Sequence, residues 1–147
     1  MRVRRTLDLP ESQEEVFDFL ADLRNELLWH PDAEQVSLET GEPVGPGSTF
    51  RVHYHRLGDV EIELVTYERP WRLVFGASGA TKAVYETRLE AREGGTHLVT
   101  IADAHPRGPG RLLLPLLRRR IQRDFQRRGE LLARGLAERA QQPEPRT

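Results

Sequence analysis

The sequence predicts an α+β fold, a curved antiparallel β-sheet of about seven strands wrapped around a long C-terminal α-helix, with two short helices after the first strand. Three observations predict it. From Gln35 to Ala104 the chain runs through alternating segments, separated by turn residues at hairpin spacing. Within those segments one face is apolar and the other charged, the mark of a sheet covered on one side. The last long segment then carries an apolar stripe of helical period. With Leu114 at zero and about 100° per residue, Leu117, Ile121, Phe125, Gly129, Leu132 and Leu136 fall within roughly 60° of it. Arg119, Arg120, Arg123, Arg127 and Arg134 point the other way. A helix with one greasy face, arriving after a one-sided sheet, covers the concave side of that sheet.

The elements follow in order. Val3, Arg5 and Leu7 open an alternating strand that ends at Pro10. Ser12 and Glu15 form the S-x-x-E pattern of a capping box, which satisfies orphan backbone donors at a helix start. Val16, Leu20, Leu23 and Leu27 continue as a helical face, with a break expected near Arg24-Asn25. Trp29-His30-Pro31 ends it, because the residue before a proline is pushed out of the helical region. Six strands are expected next: Gln35 to Thr40, Thr49 to Arg56, Val60 to Tyr67, Trp71 to Ala77, Lys82 to Arg92 and Thr96 to Ala104. Leu57-Gly58-Asp59, Arg69-Pro70, Ser78-Gly79 and Gly94-Gly95 supply the turns. Pro106, Gly108, Pro109 and Gly110 break the sheet before the final helix, in whose first turns Pro115 is tolerated.

At 147 residues the chain fits one domain. Residues 1–140 are expected to form it, and 141–147, with two prolines, a disordered tail. The 22 basic and 23 acidic residues nearly cancel, so the overall field favours neither nucleic acid nor an anionic membrane as partner. All but Lys82 of the basic residues are arginine, a skew that fits a GC-rich bacterial genome. With no cysteine there are no disulfides, thiolate metal sites or cysteine nucleophiles. The N-terminus does not read as a signal peptide and no window is apolar enough to span a membrane. The expected location is cytoplasmic.

The strand faces are explicit. Phe50, Val52 and Tyr54 share one side of their strand, and Arg51, His53 and His55 the other. Val60, Ile62 and Leu64 oppose Glu61 and Glu63, so the hairpin at Gly58 is expected to set His53 and His55 beside those acids, outside. Tyr85, Thr87 and Leu89 face inward in the penultimate strand. In the last, the register with Leu98, Thr100, Ala102 and Ala104 inward is preferred, because it leaves Asp103 and His105 in water.

With Val16-Phe17 and Leu20-Ala21-Asp22 on the first helix, Trp29-x-Pro31, and Gly47-Ser48-Thr49-Phe50 leading a strand, the chain resembles a known family. The Pro70/Leu73-Val74-Phe75 strand, the Gly95-Thr96 hairpin exit and the Arg-rich last helix match as well. The family is the START-like (SRPBCC) superfamily with its helix-grip fold, in the bacterial polyketide cyclase/dehydrase-like branch. The resemblance covers roughly residues 1 to 138. It implies a cavity for a lipophilic ligand, since members include lipid and sterol carriers, hormone receptors and aromatic polyketide cyclases. It identifies a fold, and function must come from the site.

Several side chains are candidates for that site. From the sheet come Phe50, Val52, Tyr54, Ile62, Leu64, Phe75, Tyr85 and Thr100, with Trp29 where the short helices meet the sheet edge. From the last helix come Leu117, Arg118, Ile121 and Phe125. Arg118 lies about 40° from the centre of the apolar stripe. It either holds an anionic or enolate oxygen over the cavity, or snorkels to the rim or pairs with a buried acid. Arg128 lies on the opposite flank and is expected to snorkel or pair. Tyr54 and Tyr85 have hydroxyls that need partners if buried, which makes them, with Arg118, the catalytic candidates. His53 and His55 have the spacing of a metal pair, but solvated cross-strand pairing with acids is the expected role. No metal and no cofactor are expected.

Two functions follow. One is binding of a small hydrophobic molecule, of lipid, isoprenoid or aromatic type. The other is polyketide aromatase/cyclase chemistry, which needs an acid or base deep inside. The inward positions offer no evident His, Asp or Glu, so binding is preferred. An adaptor role for the exposed arginine face of the last helix is the third reading.

Overall fold

The computed structural model describes residues 1–106 and 108–141. Of the expected tail 141–147, Gln141 ends the last helix and residues 142–147 lie outside the described residues. The chain forms β1 (Arg2–Leu9), α1 (Gln13–Ala21), a 3₁₀ turn (Leu23–Asn25), α2 (Glu26–Trp29), β2 (Ala33–Leu38), β3 (Thr49–Tyr54), β4 (Gly58–Glu68), β5 (Arg72–Ser78), β6 (Thr81–Arg92) and β7 (Gly95–Pro106). A second 3₁₀ turn (Pro109–Leu113) leads into α3 (Leu114–Gln141). The strands make one antiparallel seven-stranded sheet in the order β1-β7-β6-β5-β4-β3-β2. This is the predicted α+β helix-grip architecture.

Local chemistry explains the elements between β1 and β2. The Glu15 N–H donates to Ser12 Oγ at 3.2 Å, capping α1. Val16 and Phe17 are fully buried against the sheet. Asp22 ends α1 in extended backbone and accepts from the Arg24 N–H at 3.0 Å, so the chain restarts as a separate turn. That restart resets the helical phase. Leu27, which the continuous period places inward, is 48 % exposed, and Glu26 turns inward instead.

The concave face is apolar as expected. Phe50, Val52, Ile62 and Leu64 are buried together with Leu73, Phe75, Leu89 and Leu98. The last strand takes the preferred register, with Leu98, Thr100 and Ala102 buried. The β3–β4 register differs from expectation. Tyr54 pairs with Gly58, whose φ of +73° makes the turn, so His53 faces Asp59 and not Glu61. Its Nδ1 lies 2.8 Å from Asp59 Oδ1, and His55 Nδ1 lies 3.4 Å from Glu34. Both histidines remain on the outer face. Among the described residues, no three His, Asp or Glu side chains come together as a metal site.

The helix α3 follows its stripe over only part of its length. It runs alongside β1, and two glutamine side chains dock on the strand's free edge. The Arg4 N–H donates to Gln122 Oε1 at 2.8 Å, and Gln122 returns a bond to the Arg4 carbonyl. Gln126 does the same for Thr6, at 3.1 and 2.9 Å. Four residues of helix rise about 6 Å and two of strand about 6.6 Å, so the spacings match. The edge that would otherwise invite another strand is thereby closed. Because Gln122 already sits opposite Arg4, near the start of β1, the helix before it overhangs the sheet. Leu117 is 42 % exposed and Arg118 is exposed, against the expectation that both face the sheet. Close packing begins further on, where Gly129 lies against Leu7 and Arg5, Gly135 lies against Trp29, and Leu132 and Leu136 are buried.

Candidate functional site

Beneath the C-terminal half of α3 the apolar core is interrupted by a compact polar cluster. Four elements bring its members together: β1 supplies Arg5, α2 Glu26 and Trp29 with His30 as its C-terminal cap, β3 Tyr54 and β6 Tyr85. Thr87 and Thr100 close its floor with a buried 2.9 Å bond between their hydroxyls.

Arg5 is the unusual residue. It shares the parity of Val3 and Leu9, which drives a guanidinium into the interior, where it is only 7 % exposed. Its guanidinium carbon lies 4.3 Å from the centre of the Phe125 ring and 5.7 Å from that of Trp29. Both aromatic faces attract the cation. Its one protein hydrogen bond is a long one, 3.4 Å from Nη1 to the Phe125 carbonyl. The buried Nε has no partner among the described residues. No carboxylate there lies within ion-pair distance of it. Burial, then the nearby charge of Arg128, pushes its pKa down to about 10. It stays charged at neutral pH with donors unspent, a costly state for a buried polar group.

Opposite it stands an acid. The Tyr54 hydroxyl donates to Glu26 Oε2 at 2.6 Å. Glu26 as a residue is only half-buried, but its carboxyl is enclosed. Burial pushes its pKa up to about 7, while the Tyr54 bond and the Arg5 charge pull it down. Tyr54 is itself driven well above the ordinary phenol range, by burial first and the Glu26 charge second. Tyr85 is raised by the same two causes. Tyr54 therefore stays a donor, and Glu26 alternates between acid and base near neutrality.

His30 completes the wall. Its ring lies 5.0 Å from that of Tyr54 and 5.3 Å from that of Trp29. Its Nδ1 accepts from the Asp32 N–H at 3.1 Å, which leaves the proton of the neutral ring on Nε2. Burial, then the charge of Arg128, lowers its pKa to about 4. Arg128 Nη2 lies 3.3 Å from Asp32 Oδ2, the pairing expected for it.

Two open clefts mark the surface. One, of about 410 Å³, lies by the Gly94-Gly95 hairpin among Asp8, Pro10 and Arg92, away from this cluster. The other, of about 320 Å³, runs between the β3–β4 turn and α3 and is lined by Arg56, Arg120, Asp124, Arg127, Arg128 and Leu131. We attach functional weight to the smaller one, because Arg128 belongs both to its wall and to the charges acting on Arg5 and His30.

The structure thus sorts the residues expected from the sequence. Trp29, Tyr54, Tyr85, Thr100 and Phe125 lie in or around the polar cluster. Phe50, Val52, Ile62, Leu64 and Phe75 form the core beside it. Ile121 is half-buried, while Leu117 and Arg118 stand outside. The interior cation is Arg5, not Arg118. The expectation that no inward acid or histidine exists is also corrected, since Glu26 and His30 both face this interior.

A family model described as polyketide cyclase/dehydrase and lipid transport matches residues 1–137. The fold is similar to that of TTHA0849 from Thermus thermophilus, with a TM-score of 0.72 and 22% identity over 95% of this chain and 96% of that one. It is also similar to BH1534 from Bacillus halodurans, with a TM-score of 0.71 and 15% identity over 92% and 96% of the two chains. The di-domain ARO/CYC BexL from the BE-7585A biosynthetic pathway gives a TM-score of 0.69 at 15% identity, over 97% of this chain and 50% of that one. At these identities the likeness is one of fold. Among curated proteins, none matches the chain in sequence.

Proposed function

Because the chain belongs to the polyketide cyclase/dehydrase and lipid transport family, we propose that it binds a small lipophilic molecule, of lipid, isoprenoid or aromatic polyketide type, between sheet and α3. The observation that carries this reading is the buried Arg5 with its unpartnered Nε. A cation held between two aromatic rings, with donors unspent, suits an oxygen that arrives on an apolar body. The body lies along Phe125, Trp29 and Tyr85, and a carboxylate, enol or carbonyl oxygen takes the Arg5 donors. The arginine-lined cleft beside Arg128 is the entrance, and parting Arg128 from Asp32 widens it.

A second reading is favoured by one observation, the Glu26 carboxyl held 2.6 Å from the Tyr54 hydroxyl inside this cluster, where burial pushes its pKa up to about 7. In it the chain catalyses cyclisation and dehydration of a poly-β-ketone. The Glu26 carboxylate removes a proton from carbon between two carbonyls, and Arg5 holds the developing enolate oxygen. The enolate carbon attacks a second carbonyl of the same chain, forming the ring bond and an alkoxide that takes the proton back from Glu26. The Glu26 carboxylate then removes the remaining proton on the same carbon and passes it to the hydroxyl, which leaves as water as the carbon–carbon double bond forms. Tyr54 orients the carboxyl throughout.

The test for binding uses a fluorescent fatty acid and its neutral alcohol. The acid is expected to bind at low-micromolar affinity, about −8 kcal/mol. Arg5→Met should weaken the acid by about 1.5–3 kcal/mol, the worth of a charged hydrogen bond, and leave the alcohol nearly unchanged. Arg5→Lys should restore part of the loss. Equal losses for both probes would refute the anchor. The catalytic reading is tested separately: a poly-β-ketone analogue should turn over with wild-type protein and not with Glu26→Gln.

A further inference from the structure

The overhanging start of α3 and the 3₁₀ turn before it carry the most exposed large apolar side chains among the described residues. Leu112 is 75 % exposed, Leu113 56 %, Leu116 81 % and Leu117 42 %. Four leucines left in water within six residues form a contiguous apolar tip, unlike the scattered exposure every protein tolerates. The charge around the tip is one-sided. From Ala104 to Arg123 the sequence contains no acidic residue. Arg111, Arg118, Arg119, Arg120 and Arg123 are all exposed, and none makes an ion pair among the described residues. The chain's near-neutral total therefore hides a local concentration of positive charge.

The order of these residues along the helix matters. Counting about 100° per residue from Leu116, Arg119, Arg120 and Arg123 lie within about 60° of it, and Leu117 flanks that side at about 100°. The arginines stand one to two turns behind the leucines, roughly 5–10 Å along the axis. That is a greasy tip with a cationic collar. An anionic bilayer meets both: the leucines reach the acyl boundary and the arginines remain at headgroup level. A second copy of this chain suits the tip less well, because a two-fold contact would bring the two arginine collars face to face. Among the described residues no helix is long and apolar enough to cross a membrane, and the contact considered is a peripheral one.

We propose that the segment Arg111–Arg123 is a docking site for the surface of an anionic lipid bilayer. This goes beyond the ligand reading and does not depend on it. It also seats the arginine-lined cleft, whose Arg120 belongs to the collar, beside the lipid surface.

Co-sedimentation with vesicles tests it. The full chain is expected to bind phosphatidylcholine vesicles containing about 30% phosphatidylglycerol at least tenfold more tightly than phosphatidylcholine alone, and to lose that preference as salt is raised. Leu112→Ser with Leu116→Ser should weaken binding to the anionic vesicles about tenfold or more by removing the inserted surface. Arg119→Gln, Arg120→Gln and Arg123→Gln together should cost about fivefold per arginine and abolish the preference for anionic lipid. All five positions are exposed, so unchanged melting temperatures show that the variants are folded. Absence of binding by the wild type, or binding by both variants equal to wild type, overturns the proposal. So does lipid-free self-association that the leucine substitutions abolish, which would assign the tip to a second copy.

Discussion

The Tyr54 hydroxyl donates a 2.6 Å hydrogen bond to the Glu26 carboxyl, joining the third strand of the sheet to the short helix that follows the first. This bond favours the ionised carboxyl against the burial that favours the neutral one, and the balance leaves Glu26 near pH 7. Tyr54→Phe removes the bond without removing the ring. The Glu26 pKa should then rise further, read by carbon NMR of the labelled carboxyl. A value in the ordinary carboxylate range would show that the carboxyl is solvated. The stability lost should be about 1–2 kcal/mol.

Stability should carry two opposing pH dependences. The folded pKa of Glu26 is raised, so between about 4.5 and 7 the native state binds more protons than the unfolded one. Stability from Glu26 is therefore greatest below that window and falls as pH rises through it. The folded pKa of His30 is lowered to about 4, so between there and 6.5 the native state binds fewer protons. Its contribution rises with pH over that window. Each is at most about 3 kcal/mol, and less for the half-buried Glu26. Glu26→Gln should leave a stability that climbs from about pH 4 to 6.5, and His30→Asn one that declines from about 4.5 to 7. Denaturant titrations across pH check both. The same slope in the two variants would contradict the assignment.

The two helix glycines should differ. A Cβ at Gly129 meets Leu7 Cδ2 at 2.7 Å, the far end of a side chain that can rotate. A Cβ at Gly135 meets Trp29 Cβ at 2.8 Å, the root of a large one. Alanine gains about 1 kcal/mol of helix propensity at either site. Overpacking costs about 1–3 kcal/mol. Gly129→Ala should fall near neutral, and Gly135→Ala should destabilise by about 1–2 kcal/mol net. Chemical unfolding measures both. Equal effects would mean that Trp29 does not pack against the helix as described.

Much of the fold was legible because hairpin turns and one-sided strands are local signals. Phe50, Val52 and Tyr54 against Arg51 and His53 announce their face without help from the rest of the chain. What escaped depends on contacts between distant segments. The azimuth of the α3 stripe is written in its period, but its position along β1 is set by Gln122 meeting Arg4 and Gln126 meeting Thr6. Hence Arg118, expected to lie over the sheet and either hold a ligand oxygen or snorkel or pair, stands exposed beyond it. Glu26 was hidden by a phase reset: a continuous period through Leu23 and Leu27 sets it about 90° off the apolar face, and the Asp22 cap restarts the helix. For Arg5 the signal existed in its parity with Val3 and Leu9. It was masked because an arginine beside Arg2 and Arg4 reads as part of a solvated edge.

The central claim, that a lipophilic acid binds at Arg5 between Trp29 and Phe125, is tested most directly by tryptophan fluorescence. The chain has two tryptophans, and Trp71, in the turn before β5, is 45 % exposed. Trp71→Phe leaves Trp29 as sole reporter. Titration with anthracene-9-carboxylic acid should quench Trp29 saturably at low-micromolar ligand, about −8 kcal/mol, and Arg5→Met in the same background should shift the midpoint at least about tenfold upward. Binding seen by calorimetry with Trp29 emission unchanged, or a midpoint indifferent to Arg5→Met, would contradict the account.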